Sequence, residues 1–210
     1  MEFESFLSLI SKIDQGKLGG FHSHKKMIPK ERLNFSQQQI FESKPKKAAV
    51  LALFYPDYNK ETNFLLTLRA NYGGTHSSQI SFPGGKLDDS DLNLENTALR
   101  ETFEEVGIKS DQIQILKQMS DTYIPPSNFL VSPFIGIHLG IPNFIYNHEV
   151  EELIEVKLAD LLNDNTITIK KLSTSYMKNI DVPCYILNNY TVWGATAMML
   201  SEIKDFLKSL

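Results

Sequence analysis

The stretch Ala48-Ala49-Val50-Leu51-Ala52-Leu53-Phe54-Tyr55 is apolar without interruption and stops at Pro56-Asp57. It shows no alternation of polar and apolar side chains, so it reads as a buried strand closed by a turn rather than a half-wet one. Phe64-Leu65-Leu66-Thr67-Leu68-Arg69 is a second strand, placed to pair with the first as a hairpin. A strand buried in this way needs other layers of secondary structure to cover it.

The rest of the sequence supplies those layers. Phe3, Phe6, Leu7, Ile10 and Ile13 recur at helical spacing within residues 1–16. Residues 17–46 are polar and irregular, with glycines at 19 and 20 and Pro29. Glu95 to Val106 reads as a helix ended by Gly107. Strands are expected over Ile113–Met119, Phe129–Leu139, Ile167–Ile169 and Cys184–Leu187, a short helix over Val156–Leu162, and a closing helix over Trp193–Leu207. Strands in the middle with helices around them predict an α/β sandwich on a mixed sheet. The organisation predicted is an N-terminal helix and arm over residues 1–46, then one domain over 47–210.

Charge and composition remove several function classes. The net charge is −4, and the most basic short stretch, Lys44-Pro45-Lys46-Lys47, runs straight into the apolar strand. No basic face for nucleic acid is expected. Phe129–Ile145 is broken by Ser132, Pro133, His138, Pro142 and Asn143, so no membrane span is expected. The first residues lack the basic start of a signal peptide. The single cysteine, Cys184, cannot form an internal disulfide and sits in a strand, which points to the cytosol and to a structural thiol.

The chemistry is concentrated between Gly84 and Ile108. Glu101, Glu104 and Glu105 stand at i, i+3 and i+4, on one face of a helix. An acidic helix face is ordinarily a solvated one. Here Gly84-Gly85 permits a tight turn before the helix, Arg100 precedes Glu104 by four residues, and Val106-Gly107-Ile108 ends the segment. Three carboxylates that repel one another are relieved by a hard divalent cation with oxygen ligands. Such a cation suits phosphoanhydride cleavage.

The segment resembles the Nudix box, Gly-x5-Glu-x7-Arg-Glu-U-x-Glu-Glu-x-Gly-U, where U is apolar. Arg100 to Ile108 matches except at Thr102. In the first half, Asp91 replaces the glutamate and eight residues separate it from Arg100. That is similar to a longer, Asp-containing form in the coenzyme A pyrophosphatase branch of the family. Leu66-Thr67-Leu68-Arg69-Ala70 and His76 through Gly85 resemble that branch's coenzyme A motif, with Gly73-Gly74 in place of Leu-Arg and Ser78 in place of Gly. Tyr123 to Asn128 and Tyr190 to Ala197 also resemble the branch.

The resemblance implies a Nudix-type α/β/α sandwich with a central mixed β-sheet. It implies Mg²⁺ or Mn²⁺ held by Glu101, Glu104, Glu105 and a carbonyl at Gly84 or Gly85, with Glu101 a ligand or general base. Glu149, Glu151 and Glu152 are the candidates for a further ligand from a later loop, with Glu149 preferred because it precedes an apolar residue entering a strand, as in the family pattern. Arg69, His76, Lys86, Tyr123 and Ser127 are the candidate substrate contacts. The implied reaction is hydrolysis of coenzyme A or its thioesters to 4′-phosphopantetheine (or its acyl form) and adenosine 3′,5′-bisphosphate. The implied partner is a small-molecule nucleotide and the implied assembly a homodimer. An arginine is well suited to bidentate phosphate binding. Its replacement by Gly74 leaves ADP-ribose, NADH or a nucleoside triphosphate as alternative substrates. A non-catalytic nucleotide sensor is a further class, against which the intact carboxylate set argues.

Overall fold

The computed structural model describes residues 1–30, 35–70, 79–173 and 178–210. Strand β1 (Lys46–Pro56) contains the apolar run and lies inside an eight-stranded sheet. It turns into β2 (Thr62–Arg69) as the expected antiparallel hairpin, with Phe54 opposite Phe64. β3 (Ile80–Ser81) pairs with β2, and β4 (Gly84–Lys86) pairs with β1. The carboxylate helix is α4 (Leu94–Val106), numbered after three N-terminal helices described below. β5 (Gln114–Gln118) and β6 (Thr122–Ile124) both pair with β7 (Phe129–Ile137), and β8 (Val150–Lys157) pairs with β2. The β1–β7 ladder is parallel, from Lys46 opposite Phe129 to Phe54 opposite Ile137, while the other ladders are antiparallel. The sheet is therefore mixed, as expected.

β1 shows why the run lacks polar residues. Ala49, Leu51, Leu53 and Tyr55 face a core shared with Ala98 and Val106 of α4. Ala48, Ala52 and Phe54 face a larger core on the opposite side. Successive strand residues point to opposite faces, and both faces of this strand are covered. The larger core is completed by α1 (Phe3–Ile10), the closing helix α6 (Gly194–Ser209), and a separate sheet of β9 (Ile167–Leu172), β10 (Ile180–Leu187) and β11 (Tyr190–Trp193). Short α5 (Leu158–Leu162) leads into that sheet.

Several boundaries differ from the sequence expectation. Val156 does not open a helix: with Lys157 it ends β8, and its side chain is fully buried in the sheet core. Val156 has the β-branched shape that suits a pleated surface. The first helix stops at Ile10, followed by a 3₁₀ turn at Ile13–Gln15. Residues 17–46 carry two short helices, α2 (Phe21–His24) and α3 (Gln37–Glu42). α3 begins at a capping box in which Ser36 and Gln39 satisfy each other's backbone amides.

The chain start is built into the fold. The Phe3 amide donates to the Lys60 carbonyl and the Thr62 amide to the Met1 carbonyl, both at 2.8 Å. Phe6 is fully buried with its ring 5.0 Å from that of Phe54.

Candidate active site

α4 is set at both ends by the sequence. The Asn93 side chain caps its start by accepting from the Asn96 amide at 2.9 Å. Gly107, at φ 79°, ends it as expected. Its anchor to the preceding loop is Arg100. Nε and Nη2 bond the two oxygens of Asp91 at 2.9 and 2.8 Å, a bidentate fork. Nη2 also donates to the Lys86 carbonyl at 3.1 Å, and Nη1 donates to Glu101 at 2.8 Å and Glu104 at 3.2 Å. The Arg100 contact holds the Asp91 carboxyl well below the usual carboxylate range. Thr97 and the Asp88 amide add hydrogen bonds to the same oxygen.

Glu105, one turn on from Glu101, is buried against Gly84 of β4. It accepts from the Gly84 amide at 3.0 Å and from Arg69 Nη1 at 3.3 Å. Burial pushes its pKa up to about 7, against the pull of Arg69 and the Gly84 amide, and the charges of Glu101 and Glu149 add to the rise. Glu101 is raised as well, first by burial and then, past the opposing Arg100, by Glu104 and Glu149. Glu149 stands at the head of β8, 3.7 Å from Arg69 Nη2. The acidic groups of α4 and the β8 loop thus act on one another, with Arg69 between Glu105 and Glu149.

The glycine pair makes this approach fit. A methyl group on Gly85 would sit 2.4 Å from the Glu101 carboxyl carbon. Gly84, at φ 152°, would put one 2.3 Å from the Ala49 carbonyl oxygen.

The donors here are hard carboxylate oxygens whose mutual repulsion a divalent cation would relieve, so the set fits Mg²⁺ or Mn²⁺ in chemistry. Among the described residues, no three carboxylate, histidine or cysteine side chains are gathered tightly enough to enclose an ion. Glu101 and Glu104 are drawn to Arg100, and Glu105 to Arg69 and the Gly84 amide.

Beside the carboxylates lies a cavity of about 560 Å³. Arg69, Lys86 and the glycine pair line its charged end. Phe35, Ile124, Phe129, Trp193 and Met199 line the apolar remainder. Of the expected substrate contacts, Arg69, Lys86 and Ser127 line it. Tyr123 stands behind the lining, its hydroxyl donating to Asn128 at 3.0 Å. His76 lies outside the described residues. Phe35 escaped the sequence reading because it sits in an irregular segment with no periodicity. Trp193, expected to open the last helix and to pack in the core, instead ends β11, just before α6, and lines the cavity.

The sequence matches the NUDIX domain over residues 45–172. It is 28% identical over 179 residues to the protein named "Uncharacterized Nudix hydrolase NudL" of Yersinia pestis, a span of 84% of this chain and 87% of that one. The corresponding protein of Yersinia pseudotuberculosis matches equally, at 28% identity over the same shares of each chain. A MutT/nudix family protein from Enterococcus faecalis has a similar solved structure, with TM-score 0.50 at 15% identity, covering 95% of this chain and 73% of that one.

Proposed function

From the premise that this chain belongs to the NUDIX domain family of hydrolases, which act on phosphoanhydride bonds of nucleotide derivatives, we propose that its substrate is coenzyme A or a coenzyme A thioester. The products are 4′-phosphopantetheine, or its acyl form, and adenosine 3′,5′-bisphosphate. One observation carries this reading: among the described residues, the charged side chains lining the cavity are Arg69 and Lys86, beside the carboxylates, and the lining is mostly apolar elsewhere. Coenzyme A has a matching layout, a pyrophosphate flanked on one side by a long uncharged arm. A ligand site built from apolar walls and a few placed polar groups is well suited to such a molecule.

In this reading Glu101, Glu104, Glu105 and Glu149, with a carbonyl of Gly84 or Gly85, would hold Mg²⁺ or Mn²⁺. The bound cation supplies charge neutralisation on the pyrophosphate and lowers the pKa of the attacking water. Arg69 and Lys86 orient the phosphates. A water oxygen forms the new bond to phosphorus, the anhydride P–O bond breaks, and the leaving phosphate keeps the electron pair. Glu101 takes the water proton as general base. Arg100 fixes Glu101 from one side and Asp91 fixes Arg100 from the other. Ser127 and Tyr123 shape the uncharged end, and His76 is a further substrate contact. The same reading places the protein in the cytoplasm as a homodimer. No helix among the described residues is long and apolar enough to cross a membrane.

The test is product analysis by mass after incubating pure protein with coenzyme A and Mg²⁺ or Mn²⁺, with ADP-ribose, NADH and dATP in parallel. Phosphopantetheine and adenosine 3′,5′-bisphosphate as dominant products support the reading. Cleavage confined to another nucleotide overturns the substrate and leaves the hydrolase chemistry standing.

A further inference from the structure

The two ends of the cavity come from different parts of the chain. Its charged end, Arg69 and Lys86, lies inside the matched span 45–172. Phe35 on one side and Trp193 and Met199 on the other lie outside it, before and after. The reacting end thus belongs to the family domain, while part of the apolar wall is added by the flanking segments.

Phe35 is the member of this wall with the most to gain from a ligand. It is 41% exposed, so part of its ring meets water rather than protein. It is nevertheless held in place. Its ring meets Tyr123 edge-on, with centroids 5.5 Å apart and planes at 75°. Tyr123 is tied through its hydroxyl to Asn128, whose side-chain amide donates to the Ser43 carbonyl at 2.9 Å. Phe35, two residues before α3, and Ser43, just after it, are therefore fastened to Tyr123 of β6 and to Asn128 of the following turn. This is a positioned aromatic surface rather than a loose one.

We propose that Phe35 is a specificity-determining residue that lets this site favour thioesters with an apolar acyl group over free coenzyme A. The proposal rests on the coenzyme A reading above. With the pyrophosphate at Arg69 and Lys86, the uncharged arm would lie along the apolar wall to which Phe35 belongs. An apolar wall discriminates by the area it covers, so preference grows with each methylene buried.

The experiment measures kcat and KM for coenzyme A, acetyl-, butyryl- and hexanoyl-coenzyme A with wild type, Phe35→Ala and Phe35→Leu, each checked by thermal melting. In the wild type, kcat/KM is expected to rise by roughly threefold per added methylene until the wall is covered. Phe35→Ala should lower kcat/KM for the hexanoyl thioester by about tenfold, chiefly through KM, and flatten the series. Phe35→Leu should restore most of the slope. If the wild type cleaves coenzyme A but shows no rise along the series, or if Phe35→Ala lowers every substrate by the same factor, the proposal is overturned and the coenzyme A reading survives. Cleavage of ADP-ribose without cleavage of any coenzyme A compound overturns both.

Discussion

Gly85 and Glu101 are closely packed: the carboxyl carbon occupies the space a methyl group would need, at 2.4 Å. Gly85→Ala is therefore expected to push Glu101 aside while costing little stability, because the displaced atoms end a flexible side chain. Turnover should fall by about 100-fold, the scale of a misplacement of about 1 Å at a reacting centre, with a melting temperature close to wild type. Glu101→Gln keeps the shape of the side chain and removes its charge. It is expected to reduce kcat by about 1,000-fold or more with the fold intact; turnover near the wild-type rate would remove Glu101 from the mechanism. The acidic spacing on α4 was legible at this scale, because i, i+3 and i+4 have one geometric meaning on a helix. The part played by Asp91 was visible only as a departure from a pattern. Its fork with Arg100 spans nine positions across a loop, and no periodicity predicts a contact of that kind.

Elements were legible where burial imposes a period, and less so where it does not. β1, β2 and α4 appear in the sequence because each is covered by a continuous core. β11 and the two helices within residues 17–46 are short, and local capping or pairing determines them. What fastens α2 to α6 was hidden altogether. Glu202 of α6 is buried and accepts from the Gly20 amide at 2.6 Å, from the Ser120 amide at 3.0 Å and from the Ser120 hydroxyl at 2.6 Å. His24 Nε2 lies 3.3 Å from its other side. Burial alone would raise the pKa of Glu202, but the bonds from His24, Ser120 and the Gly20 amide outweigh it and hold the value below the ordinary one. A carboxyl whose folded pKa is depressed contributes fully above its unfolded value of about 4.3, and that contribution is lost as pH falls through the folded value. Glu202→Gln is expected to cost about 2 kcal/mol at pH 7 by urea denaturation, and the gap from wild type should narrow below about pH 4. A gap that stays constant with pH would show that the charge of Glu202 contributes nothing.

Across the whole molecule, the start of the chain is a structural member. Phe3, Phe6, Ile10, Ile13 and Met27 belong to the same buried cluster as α6 and one face of β1. Removal of residues 1–28 is therefore expected to abolish the cooperative urea transition, since each large buried side chain lost costs roughly 2–5 kcal/mol. A truncated chain with a wild-type midpoint would mean that this cluster is dispensable. The sequence showed the helical spacing in this segment but not its destination, because an amphipathic stripe does not say which surface it covers.

The contact between Gly20 and Glu202 spans 182 positions, which gives it a meaning during synthesis. A ribosome delivers the first residues long before α6, and by the time Glu149 emerges the carboxylate side of the site has all its residues. The wall at Trp193 and Met199, and the helix α6 that shares a buried cluster with Phe6 and Met27, come later in synthesis than the carboxylates. Until then the early apolar residues have no final partner, and a chain released short of α6 would carry the acidic groups of a hydrolase without a finished chamber for a substrate. Completion of the chamber and completion of the core both wait on the arrival of α6.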